Sequence, residues 1–236
     1  MLGLVLGPVL LSVVGSLTGQ GDLPKTFDVA SVKPCAKDER YFYHRLPGGG
    51  LSASVPLKVL LVEAYGVQPF QFSGGPKWVD EDCWAIQATA QGVQGQLSIA
   101  QQAPMLRALL EERFQLRIRR ETREMAVFAL VVAKGGPKLK PHPADSTEVE
   151  MRTLRGSWSL KNVDLALVVK TLSRQLGKTV IDRTDLKGKY DFKLEWGRED
   201  ESIFTAIQEQ LGLKLESAKG PVEILVVDHV DKPSAS

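Results

Sequence analysis

Histidine is scarce in this chain: three residues in 236, His44, His142 and His229. They are scattered, with no His-Glu-x-x-His or comparable pairing, which removes the common zinc-hydrolase patterns. Cysteine is scarcer still, with only Cys35 and Cys83. Two cysteines without a histidine partner pattern do not make a zinc site. Charge of one sign is also missing, because the formal net charge is only +2. That argues against obligatory nucleic-acid binding, which shows a concentrated basic excess. No serine sits in a nucleophile elbow, since Gly156-Ser-Trp-Ser159 lacks the distal glycine. The glycines at 48–50 and 74–75 lack the Gly-Lys-Ser/Thr ending of a phosphate loop. No cofactor and no metal is therefore expected.

What remains is an ordinary globular composition, 43% hydrophobic and 25% charged. One long apolar stretch stands apart. Leu2 to Leu17 carries no charge, yet includes Gly3, Gly7, Pro8 and Gly15. A spanning helix needs about 20 apolar residues, so this run reads better as a secretory h-region, or else as an uncleaved N-terminal anchor. No Lys or Arg precedes it. Export to an extracytoplasmic (periplasmic or secreted) location is the expectation, with membrane contact only through this segment. In that setting Cys35 and Cys83 are either one disulfide or two small unpaired hydrophobes.

The chain repeats itself. Ser52-Ala-Ser-Val-Pro-Leu-Lys-Val-Leu-Leu61, running to Gly66, is echoed by Leu160-Lys-Asn-Val-Asp-Leu-Ala-Leu-Val-Val169, running to Gly177. Leu109 to Leu116 is echoed by Ala206 to Leu213, and Val127 to Val132 by Val222 to Val227. Matched segments in one order imply one supersecondary unit used twice. Ser54 and Asn162 are candidate helix N-caps, and Gly66 and Gly177 candidate C-terminal stops. Between them, Leu57, Leu60, Leu61 and Ala64 in one copy, and Leu165, Val168, Val169 and Leu172 in the other, keep helical spacing.

Each copy reads strand, helix, two strands, helix, hairpin. The second helices are expected over 104–114 and 201–211. The hairpins are expected to pair 115–121 with 125–134, and 214–217 with 221–228. The fold class is α+β: two homologous lobes, helices packed on a mostly antiparallel or mixed sheet. The expected divisions are 1–21 for the N-terminal segment, 22–134 for the first lobe, 135–150 for a Pro- and Gly-rich linker, 151–231 for the second lobe, and 232–236 for a frayed tail.

Candidate binding residues are few. Trp78 lies in Gly74-Gly-Pro-Lys-Trp78, a loop where a rigid aromatic can anchor a ligand. Arg117 and Arg119 alternate with Leu116 and Ile118 on the wet face of a strand. Together with Arg113, Arg120 and Arg123 they form either a binding face for an acidic partner or a strand kept soluble, partly offset by Glu121 and Glu124. Asp80, Glu81 and Asp82 invite a metal-site reading, as do Asp182, Thr184 and Asp185. Turn chemistry is the simpler account of both.

Four phrases carry a resemblance: Phe27-Asp-Val-Ala-Ser-Val-Lys-Pro34; Gly74 to Trp78 with Trp84-Ala-Ile-Gln-Ala88; Met105 to Phe114 leading through Arg120-Glu-Thr-Arg-Glu124 to Leu139; and Gly188-Lys-Tyr-Asp-Phe192 with Gln210 to Leu215 and Val226 to Val230. The chain resembles an uncharacterised bacterial family, the soil-associated protein family abundant in acidobacteria, from about Phe27 to Pro233. It departs from the family's usual His at Arg119, and from its usual Thr-Gly pair at Thr184-Asp185. The resemblance implies export and assigns no activity. The second copy is also loosely similar to the short periplasmic domains that precede secretin and receptor channels, at the level of fold alone. The expected role is an exported, non-catalytic interaction module that binds a protein or peptide partner at the cell envelope, by strand addition to a free sheet edge. The alternative is an extracytoplasmic hydrolase or carbohydrate-active enzyme using dispersed carboxylates such as Asp82 and Asp182. A ligand sensor with a pocket between the lobes is a third reading.

Overall fold

The computed structural model describes residues 25–143, 145–146, 148–154, 156–197 and 202–233. The expected N-terminal segment lies outside these residues. Twelve strands and five α-helices follow in the order β1 (Val29–Pro34), β2 (Phe42–Arg45), β3 (Leu51–Pro56), α1 (Leu57–Tyr65), β4 (Phe72–Gly74), α2 (Trp78–Glu81), β5 (Cys83–Thr89), α3 (Ile99–Arg113) and β6 (Arg117–Val132). The second half gives β7 (Lys140–Pro141), β8 (Glu150–Leu154), β9 (Ser157–Val163), α4 (Leu165–Leu176), β10 (Val180–Asp182), β11 (Tyr190–Glu195), α5 (Ser202–Ala206) and β12 (Leu213–His229). A π-helical turn, Ile207–Leu211, continues α5. The fold is α+β, with antiparallel and mixed sheets. Among the described residues no helix is long and apolar enough to cross a membrane.

There are three four-stranded sheets, and two have matching orders. The first outer sheet runs β1-β5-β3-β2 and the second β7-β11-β9-β8. Between them lies a central sheet, β10-β6-β12-β4. Its middle is a long antiparallel ribbon in which β6 pairs with β12 from Val132↔Leu213 to Arg117↔His229. Each half also lends a short strand to the other's long one. β4 lies parallel to β12, and β10 lies parallel to β6.

That ribbon corrects the expected hairpins. Neither half folds back on itself, because 121–124 is Glu-Thr-Arg-Glu and offers no residue that turns the chain cheaply. Gly220-Pro221 is the better turn candidate. Yet Gly220 sits inside β12 opposite Met125, where a Cβ would come within 3.2 Å of the Ile181 side chain. The expected linker also contributes structure, since Lys140–Pro141 pairs with β11.

The caps are mixed. Gly66 and Gly177 end α1 and α4 in the left-handed conformation, φ 66° and 59°. Ser54 is not an N-cap: it is buried within β3, its hydroxyl donating to Glu39, and Pro56 carries the strand straight into α1. α4 is capped by Asp164, whose carboxylate accepts the Leu167 N–H at 2.8 Å, while Asn162 takes a positive φ of 58° at the end of β9. α3 begins at Ile99, five residues before the expected Pro104, on a Ser98/Gln101 capping box.

Two large cores form, beside a small third cluster of Val127, Val222, Ile224 and Val226 on the ribbon itself. The first gathers Leu57, Leu60 and Leu61 of α1, Leu106 and Leu110 of α3, Trp84 and Phe114. The second gathers Val168 and Leu172 of α4, Trp158, Leu160, Leu194, Ile207 and Leu213. Leu130 of β6 belongs to the second core, and Val227 of β12 to the first, so each long strand helps close the opposite half.

Candidate functional site

The residues singled out from sequence do not converge. Trp78 opens α2 and is half-buried, its ring edge-on to Trp84 at 6.2 Å with the Lys232 ammonium 5.6 Å over its face. It is packed as the rim of the first core and not presented on an open loop. The same lysine pairs with Asp82 at 2.6 Å, so the chain past β12 is docked at Lys232.

The arginines are largely compensated. Arg119 donates to Asp228 at 2.8 Å and to Glu121; Arg123 also meets Glu121, and Arg120 meets Glu223. These pairs are exposed, so each contributes between about 0 and 1 kcal/mol. Arg117 lies exposed opposite His229 at the end of the ribbon and, among the described residues, is in no ion pair.

The carboxylates are engaged locally. Asp80 pairs with Lys58 at 2.7 Å. Asp182 accepts both the backbone N–H and the hydroxyl of Thr184, at 2.8 and 2.7 Å, which is the turn chemistry its spacing suggests. Among the described residues no group of three potential ligands is placed to hold a metal ion.

One feature escaped sequence reasoning. His142, flanked by prolines, is an interior residue with its side chain 6% exposed. Its Nδ1 lies 2.7 Å from Asp191, which also accepts the Asn162 N–H at 2.9 Å. That backbone donor first, and His142 second, hold the Asp191 carboxyl below the usual range. Of the two readings of the cysteines, the disulfide holds: Cys35 and Cys83 are bonded (Cα–Cα 5.3 Å), joining the end of β1 to the start of β5.

The clearest functional geometry lies in the margins of the outer sheets. In the first, the β2 margin is covered, and the β1 margin is an edge strand pinned to its inner neighbour. Arg45 of β2 donates to the Leu97 carbonyl at 2.8 Å and accepts Gln96 at 2.6 Å, and Pro47 bridges to Gln96. β1 pairs with β5 over its whole length and is tied by the disulfide.

The second outer sheet is barer. β8 pairs only with β9, from Glu150↔Lys161 to Leu154↔Ser157, and its other margin has no strand beside it among the described residues. Along it Val149, Met151 and Leu154 are 68%, 48% and 58% exposed. Ladder parity sets which backbone groups are free. Glu195 gives its N–H and C=O to Gln210 and not to β9, so its partner Ser157 turns toward β8, as does Ser159. Arg152 and Leu154 therefore bond β9, while the N–H and C=O of Met151 and Thr153 face outward. At the other margin β7 covers β11 for two residues only. Beyond it opens a concavity of about 400 Å³.

Residues 58–230 match the family described as protein of unknown function DUF3738. The chain belongs to that family. The match begins inside α1 and ends just past β12, so it takes in most of the first half and all of the second, the two open margins included. No curated protein and no solved structure matches the chain.

Proposed function

We propose that this DUF3738 protein is an exported, non-catalytic interaction module whose β8 margin accepts a strand from a protein or peptide partner at the cell envelope. The observation that carries the reading is β8 itself: an edge strand with outward backbone groups at Met151 and Thr153, two large exposed apolar side chains, Met151 and Leu154, and a third, Val149, just before it. Unpaired edges of this kind template a further strand, and natural proteins usually blunt them with charge, proline or covering loops. The β2 margin of the first outer sheet has a covering segment, and the β8 margin has none among the described residues. A disulfide favours an oxidising compartment, in keeping with export through the N-terminal apolar segment. The matching strand orders of the outer sheets support the reading of one unit used twice, with the second copy specialised for binding. The soil-associated, acidobacterial origin implied by the sequence resemblance is part of the same reading. Nucleic acid is not the partner, given the near-neutral charge.

The test uses peptides selected by display against the purified full chain. Binding of a selected peptide should slow hydrogen exchange at the Met151 and Thr153 amides. Thr153→Pro removes an outward donor without touching the β8–β9 ladder, and should weaken binding at least about tenfold. Selected peptides that bind the Thr153→Pro variant with unchanged affinity would refute strand addition at β8.

A further inference from the structure

The opposite margin of the same sheet holds a notch with a chemistry of its own. Parity that turns the Glu195 backbone toward Gln210 also turns the backbone of Lys193 away from β9. Nothing in the sheet meets it there. β7 stops opposite Asp191, and the Gln210 side chain takes over only at Glu195. The N–H and C=O of one residue, side by side, are thus left between two covered positions.

The walls of the notch are cationic. Lys138, Lys140, Lys161 and Lys193 line it, with Asp191 as the carboxylate among the lining residues. Asp191 is engaged by Asn162 and His142. Lys161 is held by Glu148 and Glu150. The Lys138 ammonium bonds the Glu209 carbonyl and, among the described residues, is in no ion pair. Lys140 and Lys193 are in no ion pair among the described residues. In this respect the lysines contrast with Arg119, Arg120 and Arg123, whose charges are met by acids.

We propose that this notch binds an extended acidic peptide. One residue of the peptide pairs its backbone with Lys193, and neighbouring aspartate or glutamate side chains meet Lys138, Lys140 and Lys193. A peptide fits better than a phosphate polymer, because a phosphate can accept the Lys193 N–H but offers no donor for its carbonyl. The site is separate from the β8 margin, so failure of one leaves the other standing.

The experiment is an anisotropy titration of the full chain with a labelled peptide alternating glutamate and valine. A series of the same peptide, N-methylated at one backbone position at a time, is titrated alongside. Lys140→Gln with Lys193→Gln should weaken binding about tenfold, and Thr153→Pro should leave it unchanged. N-methylation should abolish binding at the paired residue and be tolerated at its immediate neighbours. No binding up to about 1 mM would overturn the proposal. So would equal binding by every N-methylated peptide, or an oligodeoxynucleotide of equal charge that binds as tightly and loses affinity in the same lysine variant; either result reduces the notch to a diffuse basic patch.

Discussion

Removing the disulfide by the double substitution Cys35→Ala/Cys83→Ala should cost about 4 kcal/mol. The figure follows from the sequence separation of 48 residues, whose closure removes that much entropy from the unfolded chain. The covalent link sits where it has most to hold. β1 is an edge strand, paired only with β5, and its Val32 is buried in the first core at 2% exposure. Cys35 follows its last residue and donates its own N–H to the Cys83 carbonyl at 3.0 Å. Without the link, β1 frays from the free end, and Trp84, next to Cys83, reports it. The assay is urea unfolding followed by tryptophan fluorescence. With a slope of about 2 kcal/mol/M, the midpoint should fall by about 2 M. Reductant on the unsubstituted protein should reproduce that fall. A fall below about 0.5 M, with β1 amides still protected from exchange, would refute the loop-entropy argument and leave β1 held by packing alone.

Further outcomes follow from single contacts. Gly212→Ala places a Cβ 2.1 Å from the Gly136 carbonyl oxygen at a φ of +64°, and should lower stability by roughly 2–4 kcal/mol in chemical denaturation. Asp191 has its carboxyl held below the usual range, first by the Asn162 amide and then by His142, so it adds stability above the unfolded value near pH 4. That share is lost as pH falls through the lower folded value; melting temperatures of Asp191→Asn should lie below the unsubstituted protein at neutral pH, and the gap should close in acid. Fragments 1–143 and 144–236 should each fail to fold alone and regain cooperative melting when mixed, because β6 needs β12 across the whole ribbon and each half borrows a strand from the other. Cooperative melting by either fragment alone would show a lobe that closes without its partner.

The elements legible in the sequence were those fixed by local chemistry. Helical spacing placed α1 and α4, and both glycine stops fell where they were expected, because left-handed backbone at a helix end selects glycine nearly unaided. The failures were non-local. Strand character over 115–134 and 214–228 was plain, but which run pairs with which is a tertiary choice, and sequence proximity wrongly suggested hairpins. Ser54 has the residue type of a cap, yet Glu39 claims its hydroxyl from fifteen residues away. The arginines drew attention because they cluster within 113–123, while two of the three acids that answer them, Asp228 and Glu223, arrive from the other long strand. The lysine notch was invisible for the converse reason: its members come from the linker, β9 and β11, and only the sheet brings them together.

The two open margins have a common cause in how the halves differ. Both outer sheets share a strand order, so the same four positions exist in each. In the first half the segment after β5 returns past β2 through Gln96 and Leu97, and β1 runs the full length of β5. In the second half the strand in the β1 position is only Lys140–Pro141, because Lys138, which the same register would set opposite Lys193, gives its N–H to the Leu211 carbonyl at 2.8 Å instead. The shortfall leaves the Lys193 backbone uncovered, while the strand in the β2 position, β8, carries Met151 and Leu154 into the open. Under the proposed reading of one unit used twice, the copy that keeps a segment over its β2 position is covered there, and strand addition falls to β8, where no such segment lies among the described residues.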